Sequence, residues 1–76
     1  MDTAQVREGM KVRDRDGERL GKVARRLDGR FIVEKGLILP REITARLDQI
    51  AEIRGNVIWM RETGAQLEAE SYSSPP

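Results

Sequence analysis

The sequence predicts a small, mostly β fold: six short strands in a strongly twisted sheet or barrel, with one short helical segment. Three observations predict it. Turn pairs recur at Asp16-Gly17, Asp28-Gly29 and Gly55-Asn56, and such pairs between apolar runs mark tight hairpin turns because glycine accepts a positive φ. The runs between them are short and mostly alternate apolar with polar, the period of a half-buried strand. The 76 residues include neither cysteine nor histidine, so neither a disulfide nor a Cys/His metal staple supports the fold. A sheet curled over its own apolar face is then the natural way to bury a core.

In chain order, residues 1–9 read as a lead-in and 10–61 as the folded domain. Met10-Lys11-Val12-Arg13 alternates and forms the first strand. The second spans Arg19–Leu27; Leu20 and Val23 break simple alternation, and a bulge at Gly21 brings both to one face. The third places Phe31 and Val33 in the core, with Ile32 partly covered. Leu37-Ile38-Leu39 reads as a short strand ended by Pro40, which cannot donate to a ladder. The four-residue spacing of Ile43 and Leu47 predicts two helical turns over Arg41–Leu47. Ile50–Ile53 and Val57–Met60 complete the strands, with Trp59 read as core and an interface anchor as the alternative. Residues 62–76 read as an acidic, flexible tail with a frayed helical turn at Gln66–Glu70.

The run Met10-Lys11-Val12 … Asp16-Gly17-Glu18-Arg19-Leu20-Gly21-Lys22-Val23 resembles the opening hairpin of PRC-barrel domains. Leu39-Pro40 followed by Ile43 resembles that family's apolar-Pro segment, and Val57-Ile58-Trp59 its closing strand. The resemblance covers roughly residues 6–61, and its motifs are turn and core residues. It implies a six-stranded PRC-type barrel, found in many short stand-alone bacterial proteins, and docking onto other macromolecules rather than catalysis. The stretch between Pro40 and Ile50 is longer than in the family pattern.

Composition argues against an enzyme. There is no histidine to shuttle protons and no cysteine nucleophile, and the serines stand only at 71, 73 and 74. A domain this short has little room for the cleft that paired carboxylates need. Gly17–Val23 imitates a phosphate loop, but its spacer is one residue short and Val23 stands where Ser or Thr must reach Mg²⁺. Asp14, Asp16 and Glu18 gather carboxylates at one turn; Arg25 stands where a calcium loop needs its closing acid. No cofactor or metal is therefore expected, and an anionic or metal ligand at this turn ranks third. No apolar run reaches the roughly 20 residues needed to span a bilayer, and no leader is visible. A cytoplasmic location without membrane insertion is expected.

Two binding surfaces remain. Ile32, Ile38, Ile58 and Met60 are left over once the core is assigned. On the outer face they would form an apolar patch, the mark of a protein partner or a homodimer. Net charge is only +1, yet residues 1–30 hold nine Lys/Arg against six Asp/Glu. Lys11, Arg13 and Arg15 share one face of a strand, with Arg25 and Arg26 nearby, and such a ribbon touches phosphates. The absence of exposed rings counts against nucleic acid. The leading expectation is a non-catalytic adaptor that docks a protein or itself; an RNA- or ribosome-associated module is the alternative.

Overall fold

The computed structural model describes residues 5–36, 38 and 40–73, with residues 72 and 73 described by backbone alone. Six strands form one mixed sheet: β1 Lys11–Arg13, β2 Arg19–Leu27, β3 Arg30–Lys35, β4 Arg41–Arg46, β5 Ile50–Arg54 and β6 Val57–Met60. A 3₁₀ turn, Leu47–Gln49, links β4 to β5, and helix α1 spans Gly64–Ser73. The spatial order is β4-β3-β2-β1-β6-β5, so β4 and β5 are the edges and the sheet does not close into a barrel. Neighbours are antiparallel except β1 and β6, which pair in parallel. Since three residues carry the chain from one edge to the other, the sheet must curl strongly around its inner face.

That inner face is the core. Val12, Val23, Phe31, Val33, Ile43, Ala45, Ile50, Ile58 and Met60 form one buried cluster with Val6, Met10, Leu20 and Leu67. β2 turns Leu20 and Val23 inward and carries two register shifts. One lies opposite Val12/Arg13, so that Leu20 is the extra residue and joins the core; the other lies between Val23 and Arg25. Gly21 permits the first: its φ is +137°, and a Cβ there would collide with the Glu34 carbonyl oxygen. The predicted bulge at Gly21, the three turns and the second-strand span are observed.

Several expectations are corrected. Arg41–Arg46 is a strand, not a helix. Ile43 and Ala45 alternate inward opposite Val33 and Phe31, and this pairing with β3 outweighs the helical spacing of Ile43 and Leu47. Ile38 lies in a bend, and Leu37 and Leu39 fall outside the described residues, so the strand expected there is not seen at Ile38. The sixth strand is instead β4. The described part of the lead-in, residues 5–9, packs on the domain: Val6 is fully buried, and the Gly9 N–H donates to the Val23 carbonyl at 2.8 Å.

Residues 62–73 of the segment expected as a flexible tail are also part of the fold. α1 begins with a reciprocal cap: the Gln66 N–H donates to Thr63 Oγ1 at 3.2 Å and the Thr63 N–H to Gln66 Oε1 at 2.9 Å. Its Leu67 enters the core at 1% exposure. α1 packs on β4, where the Thr44 N–H, on the sheet's free edge, donates to Ser71 Oγ at 3.1 Å. The helix thus shields one edge from pairing with other chains.

Two buried polar residues fasten these parts. Asp14 Oδ1 accepts the N–H groups of Asp16 and Glu18, both at 2.9 Å, and Oδ2 accepts that of Gly64 at 3.0 Å. One carboxylate therefore ties the β1–β2 turn to the first turn of α1. Burial pushes its pKa up, but the surrounding backbone N–H donors outweigh this and hold it below the ordinary carboxylate value. Gln49 accepts the Arg46 N–H at 2.8 Å and donates to Glu62 at 3.1 Å and to the Glu70 carboxylate. It anchors the β4–β5 turn to the chain leading into α1 and to α1 itself.

Candidate functional site

Alternation decides which side chains reach the outer face. On β1, Val12 points inward, so Lys11 and Arg13 point outward. On β6, Ile58 and Met60 point inward, so Val57 and Trp59 point outward. Pairing extends this into two adjacent rows across four strands. The first runs Lys22, Lys11, Val57, Arg54, and the second Arg19, Arg13, Trp59, Glu52. Five of these eight positions are cations, two are apolar and one is acidic. The acidic residue, Glu52, is already engaged with Arg54 at 3.1 Å.

Trp59 is the centre of this face and is not a core residue, contrary to the expectation. It is half-buried and lies outside the core cluster. The Arg54 guanidinium sits 5.2 Å from the ring centroid, within cation–π range. The β1–β2 turn lies close to the ring: a Cβ at Gly17 would lie 3.7 Å from Trp59 Cζ3. Arg13 Nη1 donates to the Gly17 carbonyl at 2.8 Å and is held beside the ring. Among the described residues, Lys11, Arg19 and Lys22 have no ion pair or side-chain hydrogen bond. Arg19 and Lys22 also line a cleft of ≈ 600 Å³ with Val23, Ala24, Lys35 and Glu34; beyond Lys22 the first row passes to Glu34 and Glu42, so the cationic surface ends at β2.

The expected apolar patch is not there. Ile58 is fully buried, Met60 is 2% exposed and Ile32 is 6% exposed. Ile58 and Met60 are inward because four consecutive apolar residues on β6 leave period two unable to choose a face, and the core takes this pair. Ile32 is outward in register, between Arg25 and Thr44, yet covered. Ile38 is exposed at 92%, and Leu27 at 44% is the other large apolar residue left in solvent among those described.

The structure brings together only part of the expected basic ribbon. Lys11 and Arg13 stand side by side on the outer face, whereas Arg15 is exposed in the turn beyond β1. Arg25 and Arg26 are exposed beyond the second register shift, Arg25 beside Ile32 and Arg26 opposite Phe31. Sequence reasoning missed Val57 and Arg54, and held Trp59 as an interface anchor only as the alternative to core packing. A signal existed: Arg54 and Val57 flank the Gly55-Asn56 turn and are therefore paired, which sets Trp59 on the same face as Arg54.

Among the described residues, no group of three or more His, Cys, Asp or Glu side chains is gathered to hold a metal ion. Asp14, from the acidic turn, spends its carboxylate on backbone N–H groups. No described helix is long and apolar enough to cross a membrane. No protein-family model matches the chain, and no curated protein or solved structure shows significant similarity to it.

Proposed function

We propose that this chain is a non-catalytic binding module that docks an anionic partner surface through the outer face of β2, β1, β6 and β5. The observation that carries this is the set of cations Lys11, Arg19 and Lys22, unpaired among the described residues, around a partly exposed Trp59. Trp and Arg are enriched where interfaces concentrate their binding energy, and neighbouring like charges left unpaired favour a partner that neutralises them. The resemblance of the opening hairpin to PRC-barrel domains points the same way, since docking is what unites that family.

The test is binding to heparin and to polyglutamate on a sensor surface, at low and at physiological salt. Wild type is expected to bind with an affinity that falls as salt rises. The double variant Lys11→Glu/Lys22→Glu is expected to lose binding while unfolding at an unchanged temperature. Wild type that ignores every polyanion, RNA included, would remove the proposal. A second reading, self-association, draws on the exposed Ile38 and Leu27. Sedimentation of wild type as a monomer at 100-fold differing concentrations, about the range over which a weak dimer dissociates, would dispose of it.

A further inference from the structure

Resting on that reading, we infer that the face takes a single-stranded nucleic acid, of about four nucleotides. Such a ligand asks for two things at once: cations that follow its phosphates, and a planar surface for its bases. Both are present in one place. Lys22, Lys11, Arg19 and Arg13 occupy adjacent positions of two rows, where spacing is about 5 Å across strands and about 7 Å along them. Beside them, the Trp59 indole and the Arg54 guanidinium are in cation–π contact, and bases stack on both kinds of plane.

The shape of the sheet selects a single strand over a duplex. The core occupies the inner side of the curl, so the two rows lie on its convex side. A convex sheet offers no projecting element to enter a groove, which is how base edges of a duplex are read. A flexible strand can bend over the same surface. Beyond β2 the first row continues as Glu34 and Glu42, which repel phosphates, so the strand's path is confined to the outer face between β2 and β5. An acidic peptide would satisfy the cations but leave the indole–guanidinium pair without a planar partner.

Trp59 is the sole tryptophan, so its fluorescence reports stacking directly. The protein is titrated with four- and eight-residue oligouridylate and oligothymidylate, with a duplex of equal length, and with polyglutamate. Single strands are expected to quench Trp59, and duplex and polyglutamate are not. Affinity should fall with salt with a logarithmic slope of about −2 to −3, the value for three to four phosphate contacts. Comparing uridylate with thymidylate decides between RNA and DNA. Lys11→Glu/Lys22→Glu should weaken binding of a labelled oligonucleotide at least about tenfold, and Trp59→Ala about tenfold, with Trp59→Phe restoring most of it.

Binding of polyglutamate without binding of either oligonucleotide would overturn the inference and leave the anion-docking proposal standing. Absence of binding to all polyanions would remove both. Duplex bound as tightly as single strand, or oligonucleotide bound equally by Trp59→Ala, would also overturn the inference.

Discussion

Asp14 offers the sharpest test of how this fold is held. In Asp14→Asn one oxygen can still accept the N–H groups of Asp16 and Glu18, but as a neutral acceptor. Going from charged to neutral costs about 1 kcal/mol for each of those two bonds. The amide nitrogen then faces the Gly64 N–H, now 3.0 Å from the second oxygen. Leaving that donor unmatched costs about 1 kcal/mol more, so the variant should lose about 3 kcal/mol. A domain this size draws only about 3–5 kcal/mol from its core, so the loss would unfold much of the population at body temperature. The assay is urea unfolding followed by Trp59 fluorescence, repeated from pH 7 to pH 2. The folded carboxyl titrates below the ordinary 3.8, so its contribution is complete above that value and is lost as pH falls through the folded pKa. The gap between wild type and variant should therefore be constant at neutral pH and close in acid. An unfolding midpoint unchanged by the substitution, or a gap that persists undiminished at pH 2, would refute the role given to this carboxylate.

Other outcomes follow from the same packing. Leu67→Ala should cost about 2–3 kcal/mol in urea unfolding, because it empties a buried position that joins α1 to the sheet. Gly21→Ala should cost about 3 kcal/mol or more, since its Cβ would collide with the Glu34 carbonyl; amide hydrogen exchange should show β2 and β3 losing protection together. Ile58→Asn should prevent folding, whereas Ile38→Asn should change stability by less than about 0.5 kcal/mol, as circular dichroism melts would show.

Strands bounded by glycine turns were legible in the sequence, because a turn that requires positive φ restricts the residues that can occupy it. Asp16-Gly17, Asp28-Gly29 and Gly55-Asn56 therefore located β1, β2, β3, β5 and β6. β4 was not legible, because Ala45 is too small to announce an inward position and Ile43 and Leu47 mimic a helix. α1 was underestimated for a different reason. Its apolar face rests on little more than Leu67, and its start depends on Thr63 and Gln66 together with Asp14, fifty residues earlier in the chain. The face of Trp59 was hidden because all four residues of β6 are apolar, so only the pairing of β6 with β1 and β5 fixes which two turn outward. The basic residues of the first hairpin were visible, but their division into an outer row, a turn and a stretch beyond a register shift depends on bulges that sequence locates only at Gly21.

The three-residue link between β4 and β5 has a further consequence. Those strands follow one another in sequence but sit at opposite edges, so cutting the link would sever no ladder. The chain would fall into an amino-terminal half carrying four strands and a carboxy-terminal half carrying two strands and the helix. Among the described residues, the ladder joining the halves is the parallel seam between β1 and β6. Lys11, Arg13, Arg19 and Lys22 belong to the first half, and Trp59 and Arg54 to the second. Expressed as separate fragments, the halves should reassemble along that seam, and the cationic surface with its ring would come into being only when they meet.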